Sequence, residues 1–588
     1  VDTLLYSYVI LGGIVSDDYG LNRLKLYYRA GDDTKYKVRN LFLNKNQSSS
    51  SFYYQWNIDS LNLPDDISLK YYLEISDNDR IHGSKKTRSS EFSFKTPSKE
   101  EIEGKIDKSS KSAEKQIDKT LEKAKDLKEK LKEIDERLKT EQKVDWQEDL
   151  IKQKEALSEE LKKLQEENKA LNQTQERFKK PSSKIQEKVK QLQNLMNDVL
   201  DEETKKLYDE LKKLLEENSG VDQIQQQLDE IQKDENSVEE ELERALELFK
   251  RLKMETKVEE TIDKLDQLQK EQKKLAEETK SKKNKDQKGD DKSKYEDKKD
   301  DQQSGEENDE NQEGKEENGE KSDDQKGKKP DLDEISKKQE EIQKKLEEIK
   351  KDTDEIEEIN QSLENPDALQ DFEKQEEEID ESIEQSLENL DKKQKNKASQ
   401  NQQKASDEMK KMKEMMQQMQ AGAEMEMMQE NLDNLRDIVD NLVKLSFDQE
   451  NLMKNFRGVN QSDPRFIALS QTQLKLKDDS KIIQDSLLAL AKRVFQLSSF
   501  VTREVETMNQ YMDESVEAIR DRRKSRAVSN QQFAMTSMNN LAILLDDVLQ
   551  QMQQSMADAM GKPKKGGKKK GNMPSMSDLQ KQLSQAII

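Results

Sequence analysis

The sequence lacks the residues on which most catalytic and metal-binding sites depend. It contains no cysteine and a single histidine, His82. This excludes disulfides, thiolate ligands, cysteine nucleophiles and two-histidine metal sites. Neither a G-x-x-x-x-G-K-[ST] phosphate loop nor a G-x-S-x-G nucleophile elbow occurs. We therefore expect a protein that is not an enzyme and that binds no cofactor.

Long hydrophobic runs are also missing, and apolar residues are scarce overall. Only 30% of the 588 residues are hydrophobic, which is below the usual apolar share, whereas 39% are charged. Such a chain favours long helices that bury a narrow apolar seam, together with unfolded segments. No apolar stretch approaches the length of a membrane span, so we expect any membrane anchor to lie upstream of Val1. The net charge of −23 disfavours nucleic acid as a partner.

The N-terminal part differs from the rest of the chain in composition. More than half of the aromatic residues lie within residues 1–96. Turn residues there separate segments rich in Tyr, Phe, Val and Ile, at the spacing of a β-sandwich. The predicted strands cover residues 4–11, 21–29, 35–43, 51–58, 68–77 and 89–96. The fold class that follows is a mostly α protein, with coiled coils and a C-terminal helical bundle, that begins with an all-β immunoglobulin-like sandwich.

After Ser98 the apolar period changes from two to about 3.5 residues, which indicates a coiled-coil seam. Pro181, Gly220 and Pro366 mark predicted helix breaks, and Asp463-Pro464 is a predicted helix start. The predicted organisation is a β-sandwich at 1–97, helical hairpins at 98–278, a disordered charged linker at 279–331, a coiled coil at 332–404, a Met- and Gln-rich helical bundle at 405–560, and a Lys-rich tether with a short amphipathic helix at 561–588.

Acidic turns of the N-terminal module suggest one metal-site hypothesis. Asp17, Asp18, Asp77 and Asp79 could lie at one end of the sandwich and bind Ca²⁺ through their oxygens. The alternative, which we favour, is that these side chains stabilise turns through hydrogen bonds to the backbone.

Two apolar patterns are candidate partner-binding surfaces. Met409, Met412, Met416 and Met419 recur at helical spacing and could form an adaptable protein-binding face, although the same spacing suits a helix core. Near the C-terminus, Leu579, Leu583 and Ile587 fall on one face of a predicted helix that could dock in a groove elsewhere. A lysine-rich stretch precedes this helix, and we interpret it as a solvated tether.

Two blocks of the chain resemble an uncharacterised family of envelope proteins in Gram-negative bacteria. The first comprises "VSDDYGLNRLKLYYR", "YYLEISDND" with Gly83, and "EFSFKT", and the second is "NNLAILLDDVLQQMQQSMADAMG". Members have two N-terminal membrane helices, an immunoglobulin-like module, and a long Gln- and Met-rich helical region with a Gly-rich tail. The resemblance implies a location on the periplasmic side of the inner membrane. It implies no reaction and no site residues, and the tail of this chain is rich in lysine instead.

These observations together favour a structural protein. We expect a scaffold of the bacterial envelope whose coiled coils act as a spacer and present interaction modules to protein partners, with homo-oligomerisation possible. One alternative is a subunit of an envelope-spanning secretion or motility machine. Another is a cell-wall or peptide hydrolase that uses a Ser/Lys or carboxylate pair.

Overall fold

A computed structural model describes most of the chain. It covers residues 4–18, 20–31, 33–44, 47–64, 66–79, 83–138, 147–198, 206–207, 210–211, 213–214, 221–280, 332–460, 463–497 and 499–559. The predicted linker, apart from its first two residues, and the predicted tether with its short helix lie outside these ranges. Two compact units are present: unit 1 comprises residues 1–256, 359–366 and 423–588, and unit 2 comprises residues 257–358 and 367–422.

The N-terminal module consists of antiparallel strands in two sheets, as predicted. The strands are β1 (Tyr8–Ser16), β2 (Leu21–Ala30), β3 (Lys37–Leu41), β4 (Ser49–Asn57), β5 (Ser68–Asp77), β6 (Lys86–Arg88) and β7 (Phe92–Lys95). β1 pairs with β4 in one sheet, whereas the other has the order β3-β2-β5, with β6 and β7 both pairing with β5. These pairings match those of strand B with E, and of strand F with C and G, in immunoglobulin domains.

Trp56 lies at the centre of the core between the two sheets. It is fully buried, and its ring lies 5.1 Å from that of Tyr28 and 5.4 Å from that of Tyr71, on the opposite sheet. Leu24 and Leu26 of β2 are buried in the same cluster because alternate strand residues face the core. The first strand begins four residues later than predicted and includes Gly12-Gly13, two residues with low strand propensity.

Helices form the remainder of the described chain. They are α1 (Lys99–Leu138), α2 (Gln147–Phe178), α3 (Ser183–Asp198), α4 (Val221–Lys280), α5 (Leu332–Gln361), α6 (Glu373–Asp391), α7 (Lys395–Arg457), α8 (Arg465–Ala491), α9 (Ser499–Arg520) and α10 (Lys524–Ala559). The breaks predicted at Pro181 and Pro366 are present. Pro464 has helical dihedral angles before α8, and an oxygen of Asp463 accepts a hydrogen bond from Arg465 N at 2.9 Å.

A carboxylate joins α1 to α2, which pack as a hairpin along their predicted seam. Glu160 of α2 accepts hydrogen bonds from Gln116 at 2.5 Å, from Lys119 at 3.1 Å and from Lys123 at 2.8 Å, all on α1. These donors, Lys123 first, lower the pKa of Glu160 to about 2. Seam residues such as Ile117 and Leu157 are fully buried.

Unit 2 contains a four-helix arrangement that we call bundle I. Residues 257–280 of α4, α5, α6 and residues 395–422 of α7 contribute to it. Its core residues are Val258, Ile262, Leu265, Leu268 and Leu275 on α4, Ile335, Ile342, Leu346 and Ile349 on α5, Ile379, Ile383 and Leu390 on α6, and Ala398, Ala405, Met409, Met412 and Met416 on α7. Ion pairs flank this core, including those of Lys257 with Asp352 and with Glu355, both at 2.8 Å.

Unit 1 contains a second arrangement of this kind, bundle II, which is formed by residues 423–457 of α7 together with α8, α9 and α10. One buried cluster runs through the four helices, from Leu432 to Met552. Helix α7 is continuous through the predicted boundary at 404/405, so this boundary does not coincide with the end of an element.

The two bundles resemble each other in sequence and in local geometry. "DKLDQLQKEQKKL" (263–275) of bundle I corresponds to "DNLVKLSFDQENL" (440–452) of bundle II, and "LDKKQKNKASQNQQKASDEM" (390–409) to "IRDRRKSRAVSNQQFAMTSM" (519–538). Lys393 and Arg522, which occupy equivalent positions between the last two helices, have φ angles of 56° and 57°. The four backbone hydrogen bonds around Lys393 recur at the equivalent residues around Arg522. Bundles I and II are therefore two versions of one plan.

Candidate functional site: buried polar groups of the helical units

The acidic residues that sequence analysis proposed as calcium ligands lie in turns of the β-module. An oxygen of Asp17 accepts a hydrogen bond from Gly20 N at 2.9 Å. Asp77 is buried, and its Oδ1 accepts from Lys85 N at 2.9 Å and from Asp79 N at 3.3 Å. Asp18 is exposed. Among the described residues, no group of three or more acidic or histidine side chains is placed to hold a metal ion.

Most of the candidate methionines belong to the core of bundle I. Met409, Met412 and Met416 are buried, as the core interpretation predicts, and are therefore not part of an exposed partner-binding face in this structure. Met419 is half-buried, and its sulfur accepts a hydrogen bond from Gln370 N at 3.3 Å. Leu579, Leu583 and Ile587 lie outside the described residues.

Bundle I has a layer of amide side chains at its centre. Gln272 and Gln339 exchange two hydrogen bonds, at 3.1 and 2.9 Å. Gln402 donates to the same oxygen of Gln339 at 3.0 Å, and the Ser386 hydroxyl lies 3.3 Å from it. The four side chains come from α4, α5, α6 and α7, and all four residues have an exposed fraction of zero. We call this set glutamine layer I.

Bundle II has a matching layer. Gln449 and Gln473 exchange hydrogen bonds at 3.0 and 2.9 Å, and Gln531 donates to Gln473 at 2.8 Å. The sulfur of Met512 lies 3.5 Å from the Gln473 amide nitrogen. Gln449, Gln473 and Gln531 occupy the positions equivalent to Gln272, Gln339 and Gln402. We call this set glutamine layer II.

In unit 1, α4 carries a second buried polar feature, which we call the charged stripe: Glu241, Arg244, Glu247 and Arg251. Arg244 donates to the carbonyl oxygens of Ala491 (3.0 Å) and Leu497, on either side of the turn between α8 and α9. Glu241 pairs with Arg244 at 3.2 Å and accepts a hydrogen bond from the hydroxyl of Thr502. These bonds fix the α8–α9 turn.

The other half of the charged stripe binds the segment that follows α5. Arg251 donates to Asn365 O at 2.7 Å, while Glu247 accepts from Glu364 N at 3.0 Å. The carboxylate of Glu247 lies 3.9 Å from the guanidinium of Arg251. Burial raises the pKa of Glu247, and the neighbouring backbone donor and Arg251 oppose this effect. The segment at residues 364–365 is thus held by buried charges.

Glu240, next to the charged stripe, has a strongly raised carboxyl pKa. Burial raises its pKa to about 7, and Glu241 and Glu239 add to the effect, whereas Lys128 and a hydrogen bond with Glu506 oppose it. Two close carboxyl groups of which one is protonated near neutral pH are the minimum that a general acid–base pair needs. The pair is the structure's best candidate for the catalytic carboxylates that sequence analysis considered.

A cleft of about 800 Å³ lies between α2 and α3 in unit 1. Amide side chains line much of it, among them Gln165, Asn172, Gln186 and Gln193. Gln165 donates to Met196 O at 3.1 Å across the cleft. Neither Glu240 nor Glu506 belongs to its lining.

The glutamine layers and the charged stripe are not predicted from the sequence, because charged and amide side chains are mostly exposed in folded proteins. A signal was present. Gln272 lies four residues after Leu268 and three before Leu275, in phase with the apolar seam, and Gln449 has the same relation to Leu445 and Leu452.

Neither a search for membrane-spanning helices nor comparison with known proteins assigns a function to the chain. Within the part of the chain that the structure describes, no helix is long and apolar enough to span a membrane. No family model matches the chain, and searches of curated proteins and of solved structures give no match.

Proposed function

We propose that the protein is a non-enzymatic scaffold of the bacterial envelope, in which helical segments act as a spacer and present interaction modules to protein partners. The observation that carries the proposal is which groups the buried polar side chains bond to. In glutamine layers I and II they bond mainly to one another, and in the charged stripe they bond to backbone groups and to each other. Groups used in this way fix helix register and turn geometry.

The duplicated bundle also supports a structural role. A fold that is repeated within one chain while its core layer is kept provides two similar supports with different outer surfaces. The β-module adds a third folded surface on the same polypeptide. A scaffold acts by position, since linked modules raise the effective concentration of their partners.

The competing function is hydrolysis by a carboxylate pair, and Glu240 with Glu506 is the observation that favours it. The raised pKa of Glu240 suits a general acid. Against it, neither Glu240 nor Glu506 lines the cleft between α2 and α3.

One experiment separates the two functions. The full chain, reversibly crosslinked in envelopes, is isolated and its partners are quantified, and the purified chain is assayed on wall fragments and peptides. We expect protein partners at reproducible stoichiometry and hydrolysis equal to the buffer blank for both wild type and Glu240→Gln. Hydrolysis by the wild type that Glu240→Gln abolishes would overturn the scaffold proposal and select the hydrolase.

A further inference from the structure

Equivalent helices of the two bundles differ sharply on their outer faces. Helix α5 of bundle I and α8 of bundle II correspond residue by residue, because Gln339 and Gln473 occupy the same place in their glutamine layers. The buried positions also coincide, as with Ile349 and Ile483. Comparing the outer residues of α5 with those of α8 therefore shows which of them the shared bundle fold needs.

Helix α8 carries large apolar residues on the side away from its core. Ile467 is 66% exposed, Leu474 is 47% exposed and Ile482 is 63% exposed. We call these three residues the outer row. Positions seven or eight residues apart lie on one helix face, so the row forms a stripe along α8.

The equivalent positions on α5 are all acidic. Asp333, Glu340 and Glu348 replace the three apolar residues of the outer row, and all three are exposed. Bundle I folds with carboxylates at these places, so the apolar side chains of the outer row are not needed for the bundle fold. Exposed apolar residues grouped on one helix face are typical of an interaction surface.

We propose that the outer row is the docking surface for the chain's own C-terminal segment, residues 572–588. Three apolar residues recur every four positions in this segment, which gives one apolar face if it is helical: Leu579, Leu583 and Ile587. Lys581 lies among them, whereas the exposed Asp478 and Asp485 lie within and just after the outer row. Exposed Lys481 also lies within the outer row and Asp578 precedes Leu579, so both surfaces carry charges of both signs beside their apolar residues.

The length of the connection fits this occupant. Helix α10 ends at Ala559, in the same bundle as the outer row, and the residues from there to Leu579 can extend to at most about 70 Å. Helix α8, with 27 residues, is about 40 Å long. The segment can therefore reach any part of the outer row, and tethering raises its effective concentration to the millimolar range.

The absence of cysteine allows a direct crosslinking test in the full chain. Leu474→Cys combined with Leu583→Cys places one thiol in the outer row and one in the segment. Glu340→Cys with Leu583→Cys is the matched control, because residue 340 is the equivalent position in bundle I. Under mild oxidation we expect the first pair to form an intramolecular disulfide about tenfold faster than the control. Equal rates, or disulfides only between two chains, would overturn the proposal and in the second case assign the outer row to a second copy.

A second measurement does not depend on disulfide geometry. The single variant Leu474→Cys is labelled with a thiol reagent in the full chain and in a chain that ends at residue 571. Removal of the segment should raise the labelling rate severalfold at residue 474 and leave the rate of Glu340→Cys unchanged. An unchanged rate at residue 474 would contradict docking.

Discussion

The side-chain amides of Gln449 and Gln473 donate to each other across the core of bundle II, at 3.0 and 2.9 Å, and Gln272 and Gln339 repeat this reciprocal pair in bundle I. An amide buried in an apolar core must find a partner or lose its hydrogen bonds to water without replacement. Sliding one helix by a turn would separate both members of the pair. Each glutamine layer therefore fixes the axial register of its bundle, which an apolar seam alone specifies weakly.

Replacing Gln473 should destabilise the protein strongly. Gln473→Leu removes the residue to which Gln449 and Gln531 both bond, and leaves two buried amides unsatisfied. We expect the free energy of unfolding to fall by about 2–4 kcal/mol, measured by denaturant titration. Gln532→Leu, one residue from Gln531 but exposed, is the control and should change stability by less than about 0.5 kcal/mol. Similar losses for both variants would show that glutamine layer II has no special role.

The charged stripe should hold residues 364–365 against local opening. Arg251→Met leaves the carboxylate of Glu247 buried without its cation, and we expect a cost of about 3 kcal/mol. Hydrogen exchange at Glu364 N should accelerate more than exchange at core amides of bundle II. Adding Glu247→Gln should recover part of the lost stability, because the buried charge is then removed. As a control, Lys163→Met removes only an exposed pair with Glu159.

Stability should depend on pH through Glu240 in the opposite direction from Glu160. The pKa of Glu240 is raised from 4.5 to about 7, so the folded state binds the proton more tightly and stability falls as the pH rises through this window. Glu240→Gln should remove this fall, up to about 3 kcal/mol. The pKa of Glu160 is lowered to about 2, so its contribution is present above 4.5 and is lost as the pH falls towards 2. Unfolding titrations of wild type, Glu240→Gln and Glu160→Gln from pH 3 to 9 check both signs.

Calcium should leave the stability of the β-module unchanged. Asp77 already accepts two backbone hydrogen bonds, so Asp77→Ala should lower stability by about 1–2 kcal/mol whether calcium or a chelator is present. Asp18→Ala, in an exposed side chain, is the matched control. A rise in the melting temperature of the wild-type module with calcium that Asp77→Ala abolishes would restore the metal-site hypothesis.

The connection between α4 and α5 should be replaceable by a short one. In bundle II the equivalent helices α7 and α8 are joined by residues 458–464 alone. Replacing residues 281–331 with those seven residues should therefore keep the helical content and the melting temperature close to those of the wild type, because loop length enters closure entropy only logarithmically. A large loss of helical circular dichroism would show that bundle I depends on the longer connection.

Much of this architecture follows from residue patterns. The change of period near Ser98, the apolar seam through Ile117 and Leu157, and the helix breaks around Pro181 and Pro366 are all found where the sequence predicts them. These features are determined by residues that are close together in the sequence. The predicted boundary at 404/405 is not marked by any break in α7, because the helix passes through it with unbroken period.

The buried polar groups depend on neighbours that are distant in the chain. From its own segment alone, Arg244 would be assigned to the surface. In the fold it is buried and donates hydrogen bonds to the carbonyl groups of Ala491 and Leu497, about 250 residues away. The outer row shows the opposite case, in which Ile467 and Ile482 fit an apolar helix face but lie outside the core. Period alone identifies which residues share a face, whereas only the fold identifies which face is covered.

The plan of bundle I has a consequence for how this protein behaves under proteolysis. Its first helix precedes residues 281–331 and its other three follow them, so a cut within that stretch would yield two polypeptides that still share Gln272 and Gln339 as bonded partners. A denaturing gel would then show two fragments, although the folded particle had lost no part of its core. Intact mass under native conditions, rather than band pattern, is the appropriate criterion of integrity for this chain.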